Sequence, residues 1–375
     1  MNEEPPPPEP LGSDIPSAPI RPSRRRTGRS IVRDLALVAV AFVATLILLG
    51  GIASLVGRSN PRMVGALPSA GQASPVGVPT QPAESPPTPS SDAPSAPTVS
   101  VSPSSDPVLV GAGDIADCAL DADSATAALL DGIPGTVFTA GDNVYPDGSP
   151  DQFRDCYAPT WGRHLARTRP AAGNHDWVTD DLAGYFGYFG AAAAPAGKGW
   201  YSYDLGTWHV IVLDSDCTSV GGCGPDSAQG AWLASDLAAA TARCTLAIWH
   251  HPRFSSGEHG DDPATAPFWR ALYDADAEVV VNGHDHDYER FATQGPDGRG
   301  DGTRGLREFV VGTGGAALRT FPKPVANSQL RLADDHGVIR FVLHETSYDW
   351  SFLATSGKTL DSGTGACHWT YRVGS

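Results

Sequence analysis

Residues 279–290 read VVVNGHDHDYER. A run of β-branched valines stops at Asn282-Gly283, and two histidines follow one residue apart, His284 and His286. A short, continuously apolar run of this kind marks a strand buried on both faces. The glycine lets the chain turn out of the sheet, and the loop beyond it holds two imidazoles at a place the strand end fixes. This is how a buried strand delivers metal ligands. One such pair carries little weight alone. The weight comes from other apolar runs in the chain that stop at similar clusters.

Val108–Ala112 runs into GDIADC, Thr136–Ala140 into GDNVY, and a short element ending at Ala172 into GNHD. Leu246–Trp249 runs into HHPRFSSGEHG. Trp200–Asp204 and Trp208–Asp214 alternate and predict a hairpin around Gly206, while Arg307–Val311, Val338–Leu343 and Tyr348–Ala354 predict late strands. Helical spacing is predicted over 124–130, 227–240, where Trp232, Leu233 and Leu237 share a stripe, and 267–273. Strands alternating with helices, with polar clusters at strand ends, imply an α/β sheet whose site lies at the carboxyl edge. The late strands imply a second sheet packed on the first.

The chain has 375 residues, 42 acidic against 26 Lys plus Arg, and a formal charge of −16. Such a balance repels nucleic-acid phosphate, so no nucleic-acid partner is expected, and any phosphate binding must rest on a metal. Leu35–Gly57 contains no charged residue and is long enough to cross a hydrocarbon core of about 30 Å. Arg24, Arg25, Arg26, Arg29 and Arg33 precede it, which predicts a cytoplasmic N-terminus. The expected organisation is a Pro- and Arg-rich disordered tail over 1–33, one transmembrane signal anchor over 34–57, a Pro/Ser-rich linker over 58–106 and a catalytic domain over 107–375 outside the cell. Cleavage after the apolar run would make the domain a secreted one. Six cysteines agree with export. Their spacing suggests Cys118–Cys156, Cys217–Cys223 and Cys244–Cys367. No CxxC occurs, which argues against a zinc–cysteine site.

The residues at the strand ends are Asp114, Asp142, Tyr145, Asn174, His175, Asp176, His250, His251, His259, His284 and His286. Carboxylate, amide oxygen, phenol and imidazole together suit first-row divalent or trivalent ions, and there are enough donors for two. Singly, each has a plainer reading. Asp114 and Asp142 could cap turns, Asn174 could serve a left-handed turn, and Tyr145 or His251 could simply pack.

Five segments, Gly113-Asp114, Gly141–Tyr145, Gly173–Asp176, Ala247–His250 and Gly283–His286, resemble in order the motifs of the calcineurin-like metallophosphoesterases, and most closely their purple acid phosphatase branch. The resemblance implies a two-sheet sandwich flanked by helices, a four-layer α/β/β/α fold. It implies two metal ions, Fe(III) with divalent Zn, Mn or Fe. Asp114, Asp142, Tyr145 and His286 would hold the first; Asp142 would bridge; Asn174, His250 and His284 would complete the second. Ala116 stands where the wider family often has histidine and the purple branch a glycine, and Ala247 where the branch has valine.

The expected activity is hydrolysis of phosphate monoesters on a small phosphorylated substrate, through a hydroxide generated near neutral pH. His175 or His259 would protonate the leaving oxygen, with Asp176 orienting His175 through a hydrogen bond. Arg253 is a candidate contact to phosphate. A phosphodiesterase or nucleotidase would use the same donors, its pocket walled by 147–169 and 291–304. The reading from another class is a catalytically silent surface binding protein that keeps metals for stability. Substrate identity and oligomeric state are not set by these features.

Overall fold

The computed structural model describes residues 106–193 and 197–368. The expected tail, membrane anchor and nearly all of the linker lie outside the described residues. Among those described, no helix is long and apolar enough to cross a membrane.

The described residues form fifteen strands: β1 (Val108–Ala112), β2 (Ala116–Asp117), β3 (Thr136–Ala140), β4 (Val144–Tyr145), β5 (Thr168–Ala171), β6 (Tyr201–Leu205), β7 (Trp208–Val212), β8 (Cys244–Ile248), β9 (Val279–Asn282), β10 (Tyr288–Phe291), β11 (Arg307–Val311), β12 (Ser328–Leu332), β13 (Gly337–Leu343), β14 (Ser347–Ala354) and β15 (Thr359–Ala366). The main helices are α1 (Ala122–Asp131), α2 (Ala183–Phe189), α3 (Ala228–Ala239) and α4 (Ala266–Asp274). One sheet has the order β15-β14-β13-β1-β3-β5, a second β12-β10-β11-β9-β8-β7-β6, and β2 with β4 forms a two-stranded ribbon.

The apolar runs read as buried strands are buried throughout: β7, β8 and β9 have no exposed or half-exposed residue. The two faces of the second sheet explain this. Val210, Val212, Leu246, Ile248, Val279 and Val281 share a core with Leu109, Val110, Val137 and Phe138 of the first sheet. The alternate residues Ile211, Ala247, Trp249 and Val280 pack with Leu233 and Leu237 of α3 and Phe268, Trp269 and Leu272 of α4. Period-2 alternation thus serves two apolar neighbours at once. On the first sheet, α1 lies against β13 and against the 3-10 helix Trp161–Arg167. The expected hairpin forms, with β6 antiparallel to β7 and Gly206 at a positive φ of 67° in its turn.

Strands β1, β3 and β5 run parallel, as do β7, β8, β9 and β11. All seven therefore deliver their carboxyl ends to one edge of the sandwich. The disulfides Cys118–Cys156, Cys217–Cys223 and Cys244–Cys367 form as the spacing suggests. The last ties the segment after β15 to the start of β8, closing a loop of 123 residues in sequence.

One buried histidine carries a pH dependence that belongs to the fold. His209 on β7 places Nδ1 and Nε2 each 2.8 Å from a carboxylate, Asp204 and Asp236. Burial lowers its pKa, but the bonds to Asp236 and Asp204 outweigh burial and raise it above the ordinary imidazole value. Its contribution is therefore fully present below the unfolded value of about 6.5 and is lost as pH rises through the higher folded value. His209→Asn is expected to melt below the wild type at about pH 6, with the gap narrowing by about pH 9. A gap that stays constant or widens with pH, measured by thermal unfolding, contradicts this clamp.

Candidate metal centre

Each donor sits at or just past the carboxyl end of a parallel strand. Asp114 follows β1, Asp142 follows β3, Tyr145 ends β4, Asn174 and His175 follow β5, His250 follows β8, and His284 and His286 follow β9. Three of these residues adopt left-handed backbone: Asp114 (φ 58°), Asp142 (φ 49°) and His284 (φ 72°). Asp and His tolerate that region better than most, yet each such residue costs on the order of 1 kcal/mol. The neighbouring glycines show why the chain must turn there. A Cβ on Gly283 would lie 2.5 Å from Asp114 Oδ2 and 2.8 Å from the Ala140 carbonyl oxygen.

The two carboxylates divide their oxygens in the same way. Asp114 Oδ2 accepts the His284 amide at 2.8 Å, and Asp142 Oδ1 accepts the His175 amide at 2.8 Å. The other oxygen of each points into the centre. Tyr145 Oη lies 2.7 Å from Asp114 Oδ1, 3.0 Å from Asp142 Oδ2 and 3.1 Å from His286 Nε2. A phenol has one proton for three neighbours, so two of them face it with lone pairs unsatisfied.

The same excess of lone pairs occurs around His250. Its Nδ1 is 2.9 Å from the Ala140 carbonyl oxygen, to which only an N–H can donate, so Nε2 carries the lone pair in the neutral ring. That Nε2 faces Asn174 Oδ1 at 3.1 Å, His284 Nδ1 at 3.2 Å and Asp142 Oδ2 at 3.3 Å. His286 repeats the pattern, with Nδ1 2.9 Å from the Ala317 carbonyl oxygen. Imidazoles fixed at one nitrogen by a carbonyl, with the other nitrogen aimed at carboxylates, are the arrangement that metal-ligating histidines adopt. The residues fit cation binding: Asp114, Asp142 and His250 form one group of possible ligands and His250, His251 and His284 another, with Tyr145 beside Asp114, His286 beside Tyr145 and Asn174 beside His250.

Asp114 and Asp142 are both buried. Burial opposes ionisation of Asp142, but the charges of His250 and His175 hold its pKa well below the usual carboxylate range. Burial alone would lower His250, yet the Asp142 charge raises it to about 10. A cation entering this site must displace that proton. Burial raises Tyr145 well above the usual phenol value, and the Asp114 and Asp142 charges add to it.

The remaining residues divide. His175 lies at the rim, its ring centroid 4.4 Å from that of Tyr145 and its Nε2 3.9 Å from Asp142 Oδ2. Asp176 does not orient it, contrary to expectation. His175 Nδ1 instead sits 2.6 Å from the Pro146 carbonyl oxygen. The Asp176 carboxyl, fully buried, accepts bonds from the Asn143 amide, the Asn143 side chain and the Gly173 amide, fastening the second motif to the third. Burial, then the nearby Asp142 charge, raise it to about 7. His259 stacks 4.2 Å from His284, and its Nε2 meets the guanidinium of Arg319.

His251 lies beside the donors rather than packed away from them. Its ring lies 4.3 Å from that of His284, and a donor atom of His251 falls within 4.8 Å of donors from His250 and His284. Ser215 Oγ lies 2.9 Å from its Nδ1. Arg253 stacks over Phe254 at 4.4 Å. The loop it begins is pinned by buried carboxylates. Glu308 accepts the Arg253 amide at 3.0 Å, Glu289 the Ser256 amide at 2.7 Å and Asp285 the His259 amide at 2.8 Å. Segment 291–304 is not a wall of this site. Strand β10 runs back from it, so Thr293, Gly302 and Thr303 line a cavity with Glu278 and Arg307 at the opposite, amino end of β9 and β11.

Residues 108–288 match the family described as calcineurin-like phosphoesterase. The chain thus carries a domain of the metallophosphoesterase class of phosphoric ester hydrolases. Within that class it is 29% identical over 234 residues to purple acid phosphatase 21 of Arabidopsis thaliana, covering 53% of this chain and 51% of the relative. The chain thus spans about half the length of that curated relative. The fold matches a purple acid phosphatase from yellow lupin (Lupinus luteus) seeds at a TM-score of 0.58 and 20% identity, over 70% of this chain and 54% of that one. It also matches GAP50, the anchor in the inner membrane complex of Plasmodium, at 0.56 and 13% identity, over 70% and 89% of the two chains.

The shared position of Asp142 generates a test. Asp142→Ala is expected to empty both cation sites, whereas Asn174→Ala empties only the second, lowering metal content from about two ions per chain to about one. Elemental analysis of the purified variants checks this. Equal loss in both variants contradicts two donor sets joined through Asp142.

Proposed function

We propose that this chain is an exported, membrane-anchored phosphomonoesterase dependent on two metal ions. The observation that carries the reading is the convergence of seven donors on a shared Asp142, with more lone pairs than protons among them. Pairing of all six cysteines supports an oxidising compartment, hence export. The uncharged run over 34–57 is the proposed anchor, with the N-terminus cytoplasmic and the catalytic domain outside.

When bound, the two ions supply Lewis-acid activation of the phosphoryl group and of the attacking water. The chain's own groups do the rest. Asp114, Asp142, Tyr145 and His286 hold one ion, and Asn174, His250 and His284, with Asp142, the other. Tyr145 gives the first set a phenol oxygen that the second lacks, which supports Fe(III) in the first and a divalent Zn, Mn or Fe in the second. His175, with Nδ1 on the Pro146 carbonyl, turns Nε2 to the rim and is the proposed proton donor to the leaving oxygen. His259 is the second candidate donor. Asp176 acts through the backbone it fastens.

The purified domain is expected to hydrolyse p-nitrophenyl phosphate and to show a visible charge-transfer band. Absence of turnover with both ions bound sinks the reading in favour of a metal-stabilised binding protein. A colourless, active, zinc-only enzyme sinks the ferric assignment alone. His175→Ala is expected to slow an alkyl phosphate roughly 100-fold, with a much smaller loss on the p-nitrophenyl ester, whose leaving group needs no proton. Equal losses on both esters remove His175 from that role.

A further inference from the structure

The segment after β11, Gly312–Arg319, is fastened to the donor loops at three points. The Ala316 amide donates to the Asp114 carbonyl at 2.9 Å, the Ala317 carbonyl oxygen lies 2.9 Å from His286 Nδ1, and the Arg319 amide donates to the His286 carbonyl at 2.9 Å. The contacts that orient His286 therefore also fix where Arg319 begins. Its guanidinium ends on His259 Nε2, one imidazole away from His284.

Arg167 also meets an imidazole, that of His164, but its guanidinium is held besides by the carbonyls of Leu130, Ile133 and Gly135. Arg154, Arg163, Arg290 and Arg304 each hold a carboxylate. Arg319 takes part in no ion pair among the described residues; it rests on an imidazole. A cation without a counter-ion beside a centre built to collect two more cations is electrostatically unfavourable until an anion joins them. A guanidinium keeps further N–H donors free after one contact, in a planar fork suited to phosphate oxygens.

We infer that Arg319 is a substrate-binding residue that grips a terminal phosphoryl oxygen at the mouth of the centre and favours dianionic monoesters over diesters. The inference rests on the phosphomonoesterase reading and deepens it. A monoester offers three terminal oxygens and two negative charges; a diester offers two and one, with an alkyl group where the third oxygen would be. A cation placed outside the donor sets gains most from the oxygen that the diester lacks. Arg253, stacked on Phe254, leaves this place to Arg319.

The test uses the metal-loaded protein and its Arg319→Gln and Arg319→Lys variants, with metal content and melting temperature measured for each. Two substrates, p-nitrophenyl phosphate and bis(p-nitrophenyl) phosphate, report the discrimination, and titration calorimetry with inorganic phosphate reports binding without turnover. Arg319→Gln is expected to lower kcat/KM on the monoester and affinity for phosphate by roughly ten-fold or more, the size of a lost charged hydrogen bond. The loss on the diester should be at least about five-fold smaller, and Arg319→Lys should recover part of the phosphate affinity. Equal losses on both esters, or unchanged phosphate affinity, overturn the inference. Should Arg319→Gln lose metal or fold poorly, the lysine variant decides by the same comparison. If the wild type cleaves only the diester, the phosphomonoesterase reading fails separately, and the calorimetry still decides whether Arg319 grips phosphate.

Discussion

Asp142 Oδ2 lies within 3.0 Å of a phenol oxygen and 3.3 Å of an imidazole nitrogen, and each of those groups already faces another acceptor. Once a cation displaces the proton on His250, these buried groups face one another with fewer protons than lone pairs, and they repel. Such an arrangement persists only if the scaffold holds it rigidly and something positive balances it. Both conditions explain the surrounding structure. The scaffold is two sheets whose parallel strands point the same way, so that loops from both reach one edge. Cations would supply the positive complement, and a pair of carboxylates, a phenol, an amide and three imidazoles would be the donors for them.

The fixed half of each ligand deserves equal weight with its free half. Asp114 and Asp142 each give one oxygen to a backbone amide of another loop, His250 and His286 each meet a carbonyl, and Asp176 spans the second and third motifs. Every ligand loop is thereby held by at least one of its neighbours. The left-handed residues Asp114, Asp142 and His284 store local strain that these crossed bonds oppose.

Much of this was legible in the sequence, for a physical reason. A strand buried on both faces is largely apolar, so β7, β8 and β9 announce themselves, and the polar clusters at their ends mark the edge. Strand β15 did not. Its sequence, TLDSGTGA, reads as loop because glycine is a poor strand former. Yet Gly363 and Gly365 are needed: a Cβ there would lie 2.2 Å from the Trp350 ring and 2.4 Å from the Tyr348 ring. The partner of Asp176 was misjudged because adjacency to His175 in sequence says nothing of where a buried carboxyl turns. Arg319 was missed altogether, since its placement comes from contacts of Gly312–Arg319 with loops some 30 and 200 positions earlier in the chain.

The loop that carries His259 hangs from Glu308, Glu289 and Asp285, whose carboxyl oxygens take up its amides from below. A segment tethered along its length has no hinge about which to swing. On the side of the edge that this loop forms, selectivity then rests on shape and charge rather than on closure.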